Sequence, residues 1–503
     1  MAAMAAVRQM TRSEELGGRV RRGVAWSLLN NLTLRVGTFA VSIALARILA
    51  PEDFGVYAIA LTVQTILINL AELGLAADLV RHGNLETRGP TIATLSLASS
   101  TLLTVVMVTT ANTVATAMGS AGATPVIQLM ATTMILAGVG VVPFAKLQRE
   151  FMQKQLFAID AVSLVITTGL TITLALAGFG AMSLAISRVA AQLAITLLQF
   201  AVTRQRLRFG WNADVARSGL KFGFPLSCAG LLALLLLNLD YVLVGRLMGP
   251  VSLGIYFLAF NISSWPTTIV GTAIRSVAMP AFARRGHADG YSNHIDLVRA
   301  TSLTWAIALP IGTVLAVLST QTIDVVYGAR WLPAATALVG LGLFGTLRVV
   351  FDLWVAYLTA RGAAGALLWT QAAWIIALCP VMYFAIRVDG LAGAGWAHAV
   401  VAALFMLPLY LFAMRRVGVS VGSLLRCFAP ALIAIVPAAL ASWFVAEHVA
   451  QPFVSLFIGG VTLFAVYSAL LGPWFRNQGF ITLNREPHTG RARTRRRTLK
   501  EPT

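Results

Sequence analysis

Along this chain the apolar positions come in long runs and the polar positions in short clusters between them. A helix crosses the hydrocarbon core of a bilayer with about 20 apolar residues. Fourteen runs of roughly that length can be marked, at 24–46, 56–80, 90–117, 125–145, 156–178, 180–202, 222–245, 252–275, 300–318, 334–359, 364–386, 391–413, 428–446 and 453–474. Within several runs the few polar residues recur at helical spacing. Segment 1 carries Asn31, Arg35, Thr38 and Ser42, and segment 2 carries Thr62, Thr65, Asn69 and Glu72. Segment 5 carries Asp160, Ser163, Thr167 and Thr171, segment 6 Arg188, Gln192 and Gln199, and segment 8 Asn261, Ser264, Thr268, Thr272 and Arg275. Residues three and four apart share one helix face, so the pattern predicts membrane-spanning helices with polar stripes.

Composition agrees with that reading. Of the 503 residues 58% are hydrophobic and 11% charged, and the mean hydropathy is +0.80. A soluble enzyme and a disordered chain are both excluded, since each needs far more charge. The prediction is an all-α integral membrane protein.

A net charge of +19 would suggest nucleic acid in a soluble protein. Here the basic residues alternate with the segments instead. With the N-terminus cytoplasmic, 30 of the 38 Lys and Arg fall in inside loops and tails, against four outside: Arg47, Arg246, Arg330 and Arg387. Basic residues concentrate on the cytoplasmic side of membrane proteins, so both termini are expected inside and no nucleic-acid partner is expected. The first run follows a basic leader with Arg8, Arg12, Arg19, Arg21 and Arg22 and is too long for a cleaved signal. The basic tail, from Arg491 to Lys500, serves as a topology anchor or a contact for anionic lipid headgroups. Cys228, Cys379 and Cys427 are scattered in or beside apolar runs and are expected to be free thiols.

The chain also repeats itself. Residues 46–60 match residues 245–259 without gaps, with Arg47, Pro51, Gly55, Tyr57 and Ala60 recurring as Arg246, Pro250, Gly254, Tyr256 and Ala259. Both copies occupy an outside turn, before segments 2 and 8. Six segments separate them, so both halves have the same orientation, which predicts two parallel bundles about an axis along the membrane normal and a substrate site between them. The motif itself reads as a tight turn, from its Pro and Gly.

An ionisable group in the bilayer core costs about 2.5 kcal/mol or more, and Arg35, near the centre of segment 1, is therefore expected to face an aqueous, anion-attracting cavity. Single Ser and Thr residues read more simply as interhelical hydrogen bonds. Arg348 and Asp352 are i, i+4 partners. Asp240, near the outer end of segment 7, has Arg246 and Tyr241 as candidate partners, and His398, alone inside a segment, is expected to be satisfied locally. No phosphate-binding Gly-rich loop, H-E-x-x-H or Cys/His metal spacing occurs. No cofactor is expected, and transport would draw on a gradient or on removal of product.

Residues 46–58, 72–80 (Glu-Leu-Gly-Leu-Ala-Ala-Asp-Leu-Val), 147–150 (Leu-Gln-Arg-Glu), 239–246 (Leu-Asp-Tyr-Val-Leu-Val-Gly-Arg) and 275–282 (Arg-Ser-Val-Ala-Met-Pro-Ala-Phe) together carry a family resemblance. The chain resembles the polysaccharide transporter family, the Wzx-type flippases of the multidrug/oligosaccharidyl-lipid/polysaccharide exporter superfamily. That resemblance implies two six-helix lobes in a V around a central cavity faced by segments 1, 2, 7 and 8, plus two C-terminal helices. The corresponding division is a basic tail 1–23, an N-lobe 24–203, a basic loop 204–221, a C-lobe 222–414, helices 427–474 and a basic tail 475–503.

The resemblance further implies a multi-pass protein of a bacterial inner membrane, and a polyprenyl-diphosphate-linked oligosaccharide as cargo for cell-surface polysaccharide. Besides that substrate, the partners implied are membrane lipids, a polysaccharide polymerase and other assembly proteins. Arg presents a permanent charge and a fork that matches phosphate oxygens. Arg35 and Arg188 are accordingly the expected diphosphate contacts, with Arg275 at the cytoplasmic mouth. Asn31, Asn69, Glu72, Gln192 and Asn261 would line the cavity for the sugar, and Arg47, Arg246 and Asp240 are gate candidates. The alternatives are a cation-coupled multidrug exporter on the same fold, whose usual acid in segment 1 is replaced here by Arg35, a membrane polymerase or glycosyltransferase, and a peptidoglycan-precursor flippase.

Overall fold

The computed structural model describes Gly37 and residues 40–72, 74–82, 84–267, 290–361 and 363–477. Asn31, Arg35, Arg275, the basic tail 1–23 and residues 478–503 of the other basic tail lie outside the described residues. Among those described, every regular element is helical and eleven stretches are long and apolar enough to cross a membrane. One of them, Gly365–Arg416, is 52 residues long and broken in its middle.

Residues 40–48 are helical. After Ala50 the chain turns into α1 (Pro51–Glu72), whose Pro sits in the first turn, where a missing N–H costs nothing. The Asp53 carboxylate accepts hydrogen bonds from the Ala50 N–H (2.9 Å) and the Ala181 N–H (3.0 Å), so one side chain ties two helix starts together. Then follow α2 (Leu75–His82), α3 (Leu85–Ala117), α4 (Thr124–Val139), α5 (Val141–Arg149), α6 (Gln153–Leu176) and α7 (Ala181–Thr203).

The basic loop after α7 leads to α8 (Ala213–Ser263), capped by Asn212, whose Oδ1 accepts from the N–H groups of Asp214 (3.0 Å) and Val215 (3.1 Å). At Gly249 (φ 80°, ψ 177°) α8 breaks into arms 213–248 and 250–263. A residue with a Cβ would be strained there, so Gly is what allows the hairpin. Beyond it lie α9 (Gly290–Val317), α10 (Ser319–Val326), α11 (Ala334–Ala360) and α12 (Ala364–Val401), which breaks at Asp389 and Gly390. A π-helical turn, Ala402–Met406, joins α12 to α13 (Leu407–Arg416), and α14 (Val421–His448) and α15 (Pro452–Asn477) end the described chain.

Helices α1 to α7 pack among themselves, and α9 to α15 likewise pack together with α8. Contact between the two groups runs mainly through α1 against α8, the two helices that contain the repeat copies. The largest buried side chains, Trp331, Trp354, Tyr256, Tyr357 and Tyr410, belong to the second group. Apolar side chains such as Val165, Ile376, Ile433 and Phe457 cover the outside of the bundle and are exposed, as a lipid-facing surface requires.

Candidate functional site

The two repeat copies meet face to face. A Cβ added at Gly55 would fall on the Pro250 carbonyl oxygen, and one added at Gly254 on the Pro51 carbonyl oxygen. Each copy thus presses its helix backbone onto the turn of the other, a reciprocal contact of the kind a two-fold axis produces. Small residues permit such backbone approach between membrane helices.

Around this seam the second group reaches across to the first. Arg47 donates to the carbonyls of Val325 (2.8 Å) and Val326 (3.3 Å), and the buried Trp331 donates its indole N–H to the Ala46 carbonyl at 2.8 Å. Phe54 meets the Trp331 ring edge-on, with centroids 5.1 Å apart. One end of the bundle is therefore closed by backbone contact, hydrogen bonds and an aromatic pair. Arg246, the repeat counterpart of Arg47, is exposed and makes no hydrogen bond among the described residues. The two arginine gate candidates are not equivalent.

Depth below the turns, at 1.5 Å per helical residue, separates the other sequence-derived candidates. Arg188 and Gln192 lie about 11 and 17 Å from the start of α7, and Asn261 lies about 17 Å beyond Gly249. Asn69 and Glu72 lie about 27 and 32 Å from the start of α1, near the opposite end. Arg188, Glu72 and Asn261 are exposed and Asn69 and Gln192 half-buried. Arg188 acts electrostatically on Tyr57 across the α1–α7 contact. The Asn69 amide faces Gly230, where a Cβ would come within 2.6 Å of its Oδ1. Asn261 donates to its own helix, at the Phe257 carbonyl (2.7 Å).

Much of the Ser and Thr content of the stripes is spent on the helix that carries it. Thr65, Thr167 and Thr171 each donate to the carbonyl four residues earlier. The Asn261 amide is likewise spent on its own helix, whereas the Arg188 guanidinium is exposed.

Asp240 lies on the first arm of α8. It is 1% exposed, accepts a hydrogen bond from the Tyr256 hydroxyl (3.1 Å) and lies 3.6 Å from the His398 Nε2. Its hydrogen-bond partner is Tyr256, with His398 beside it, and its charge also acts on Tyr241, one of the two partners the sequence offered. Sequence inspection also passed over Trp331 and Asp53, because their partners are distant in the chain.

At the opposite end, buried Asp78 binds Arg88 through its Nε (3.2 Å) and Nη2 (2.6 Å), and Arg88 continues to the Ser218 hydroxyl at 3.0 Å. The basic loop ahead of α8 is docked there too, by Thr94 on Gly210 and by the Asn212 N–H on Thr91.

This helical bundle has the fold of a known class of membrane transporter. It superposes on the lipid II flippase MurJ in its inward closed conformation with a TM-score of 0.70 at 13% identity, covering 90% of this chain and 99% of that one. An inward-facing multidrug resistance transporter of the MATE family, in the MOP superfamily, superposes with a TM-score of 0.62 at 14% identity, over 78% of this chain and 98% of that one. The particular family follows from sequence: residues 44–336 match the polysaccharide biosynthesis protein family, and the chain belongs to it. It is 28% identical over 360 residues to the succinoglycan biosynthesis transport protein ExoT of Rhizobium meliloti (strain 1021), covering 70% of this chain and 71% of that relative. The protein is thus a multi-pass membrane protein of the polysaccharide biosynthesis protein family.

Proposed function

We propose that the protein flips a polyprenyl-diphosphate-linked oligosaccharide from the cytoplasmic to the outer leaflet, by alternating access, in a bacterial inner membrane. The observation that carries this reading is the reciprocal seam between the repeat copies. In a chain of this family, a closed end held by two small turns on a two-fold axis is a mouth that can part while the other end closes. In this reading the seam faces outward, the fourteen segments all cross, both termini are cytoplasmic, and residues 24–203 and 222–414 are the two lobes.

Charge selects the cargo. A cavity for an anionic diphosphate must be positive at mid-membrane, and one for a cationic drug negative. Arg188 is exposed at middle depth with Gln192 one turn further on, and Arg35, from its place in segment 1, would join them. Asn69 and Glu72 would contact the sugar at the cytoplasmic mouth, with Arg275. The lipid tail would stay in the bilayer between the lobes.

Deleting the gene should trap a lipid-linked oligosaccharide on the cytoplasmic leaflet, detected in lipid extracts. Complementation with Arg35→Ala should leave it trapped, and Arg35→Lys should release it only partly, because an ammonium keeps the charge and loses the fork. If no intermediate accumulates and the cells become sensitive to cationic drugs, a multidrug exporter is the right reading.

A further inference from the structure

Two hairpin breaks bring a pair of titratable groups together inside the second helix group. Gly249 breaks α8 and Gly390 breaks α12, and a Cβ on Gly390 would lie 3.3 Å from the Met248 Cε, so the two breaks sit side by side. Asp240 lies nine residues before the first and His398 eight residues after the second, which puts them about 14 and 12 Å below the same end. Tyr256, on the returning arm of α8, is about 11 Å below it. The three side chains converge at one depth, and all three are buried.

Three of their polar atoms are not satisfied. Asp240 Oδ1 and both ring nitrogens of His398 lack a hydrogen-bond partner among the described residues. His398 Nε2 is 3.6 Å from Asp240 Oδ2, too long for a hydrogen bond and short enough to become one with a small rotation. Aromatic rings wall off the pair: Phe344 and Phe260 have centroids 4.8 and 5.8 Å from the imidazole. The π-helical turn Ala402–Met406 begins one helical turn after His398. Such turns recur at functional sites and supply a place where a helix can change register.

We propose that Asp240 and His398 form a proton site, separate from the cargo cavity, whose loading and unloading powers transport. This rests on the flippase reading for what is driven, and on the geometry above for the site. The empty form is a carboxylate beside a neutral imidazole. The loaded form holds one more proton, taken from water on the outer side and shared between Asp240 Oδ2 and His398 Nε2. It is written either as carboxylate with imidazolium or as carboxylic acid with imidazole. Release returns that proton to water on the cytoplasmic side, and no bond between heavy atoms changes.

The surrounding groups fit a proton better than a metal cation. Besides the pair, Tyr241 and Tyr256 are the titratable groups of α8 at this depth. Arg348 of α11 places its guanidinium 6.0 Å from the Phe260 ring centroid and acts on Tyr241, while Asp352 one turn further along α11 acts on Tyr410. A hard cation needs several oxygen ligands. Here the Arg348 guanidinium stands on the neighbouring helix, and the imidazole supplies ring nitrogens that can take up or give a proton.

The test uses the full chain in lipid. Infrared difference spectra between about pH 5 and 8 should contain paired carboxyl and imidazole bands that Asp240→Asn and His398→Gln each remove. Tyr256→Phe, which takes away only the hydroxyl donated to the carboxylate, should displace the carboxyl band and leave the imidazole band present; it serves if either of the other variants does not fold. In liposomes holding a trapped pH dye, a lipid extract from the gene-deletion strain should trigger proton flux with wild-type protein in sodium-free buffer, and at least tenfold less with either variant. Bands that survive both substitutions, or flux that requires sodium, would overturn the proposal. Bands lost in the variants, with no flux from the extract even in wild type, would support the proton site and refute the cargo reading.

Discussion

At the scale of single residues, Gly55 and Gly254 are the positions where one added carbon matters most. Each faces a backbone carbonyl of the other repeat copy, so relief requires the two helix groups to move apart rather than a side chain to rotate. Overpacking of a close contact costs about 1–3 kcal/mol, which at tenfold per 1.4 kcal/mol shifts a closed-to-open ratio by about 5- to 140-fold. Gly254→Ala should therefore hold the seam open. With Cys228, Cys379 and Cys427 replaced by Ser and a reporter placed as Phe54→Cys, a membrane-impermeant maleimide should label Gly254→Ala several-fold faster than the parent. Gly55→Ala should behave the same way, since the two glycines serve one contact. Equal labelling rates would mean that the seam does not open.

At the scale of elements, the opposite end is held by a buried charge. Asp78 on α2 is bound by Arg88 at the start of α3, which also reaches Ser218 at the start of α8. Three helices thus depend on one guanidinium. Removing one partner of a buried ion pair costs about 3–5 kcal/mol, because the other is left without compensation, whereas an apolar pair of similar volume can be neutral. Arg88→Met should lower the thermal midpoint in detergent clearly. Asp78→Leu combined with Arg88→Met should recover most of the loss. If the single and double variants melt alike, Arg88 matters through its contact with Ser218 and not through Asp78.

At the scale of the whole molecule, the helices impose a two-ended body. Asn212 lies beside Thr91 near the start of α3, whereas α10, which includes Gln321, ends in the two carbonyls that Arg47 grips beside the repeat turn. These are opposite ends of the bundle. Reporter fusions after Asn212 and after Gln321 should accordingly read cytoplasmic and external. Matching sides for the two would refute the proposed fourteen crossings and the cytoplasmic termini.

Sequence alone determined the class, the family and the repeat. Each is written locally: lipid selects apolar runs of a fixed length, alternate loops between the runs gather Arg and Lys, and two stretches of fifteen residues keep the same Pro, Gly and Tyr. That Arg188 and Gln192 share one face of α7 was also legible, because helical spacing alone places them there. Only the tertiary structure decided that the two turns meet each other, that Trp331 and Arg47 lock them, and that Asn69 and Glu72 lie far below Arg188. It alone decided that Asp240 belongs with His398 in a buried pair. Those contacts join residues about 158 to 285 positions apart, and no local preference encodes them. The seam contacts arise where the two helix groups meet, and the Asp240–His398 pair where α8 packs on α12 within the second group.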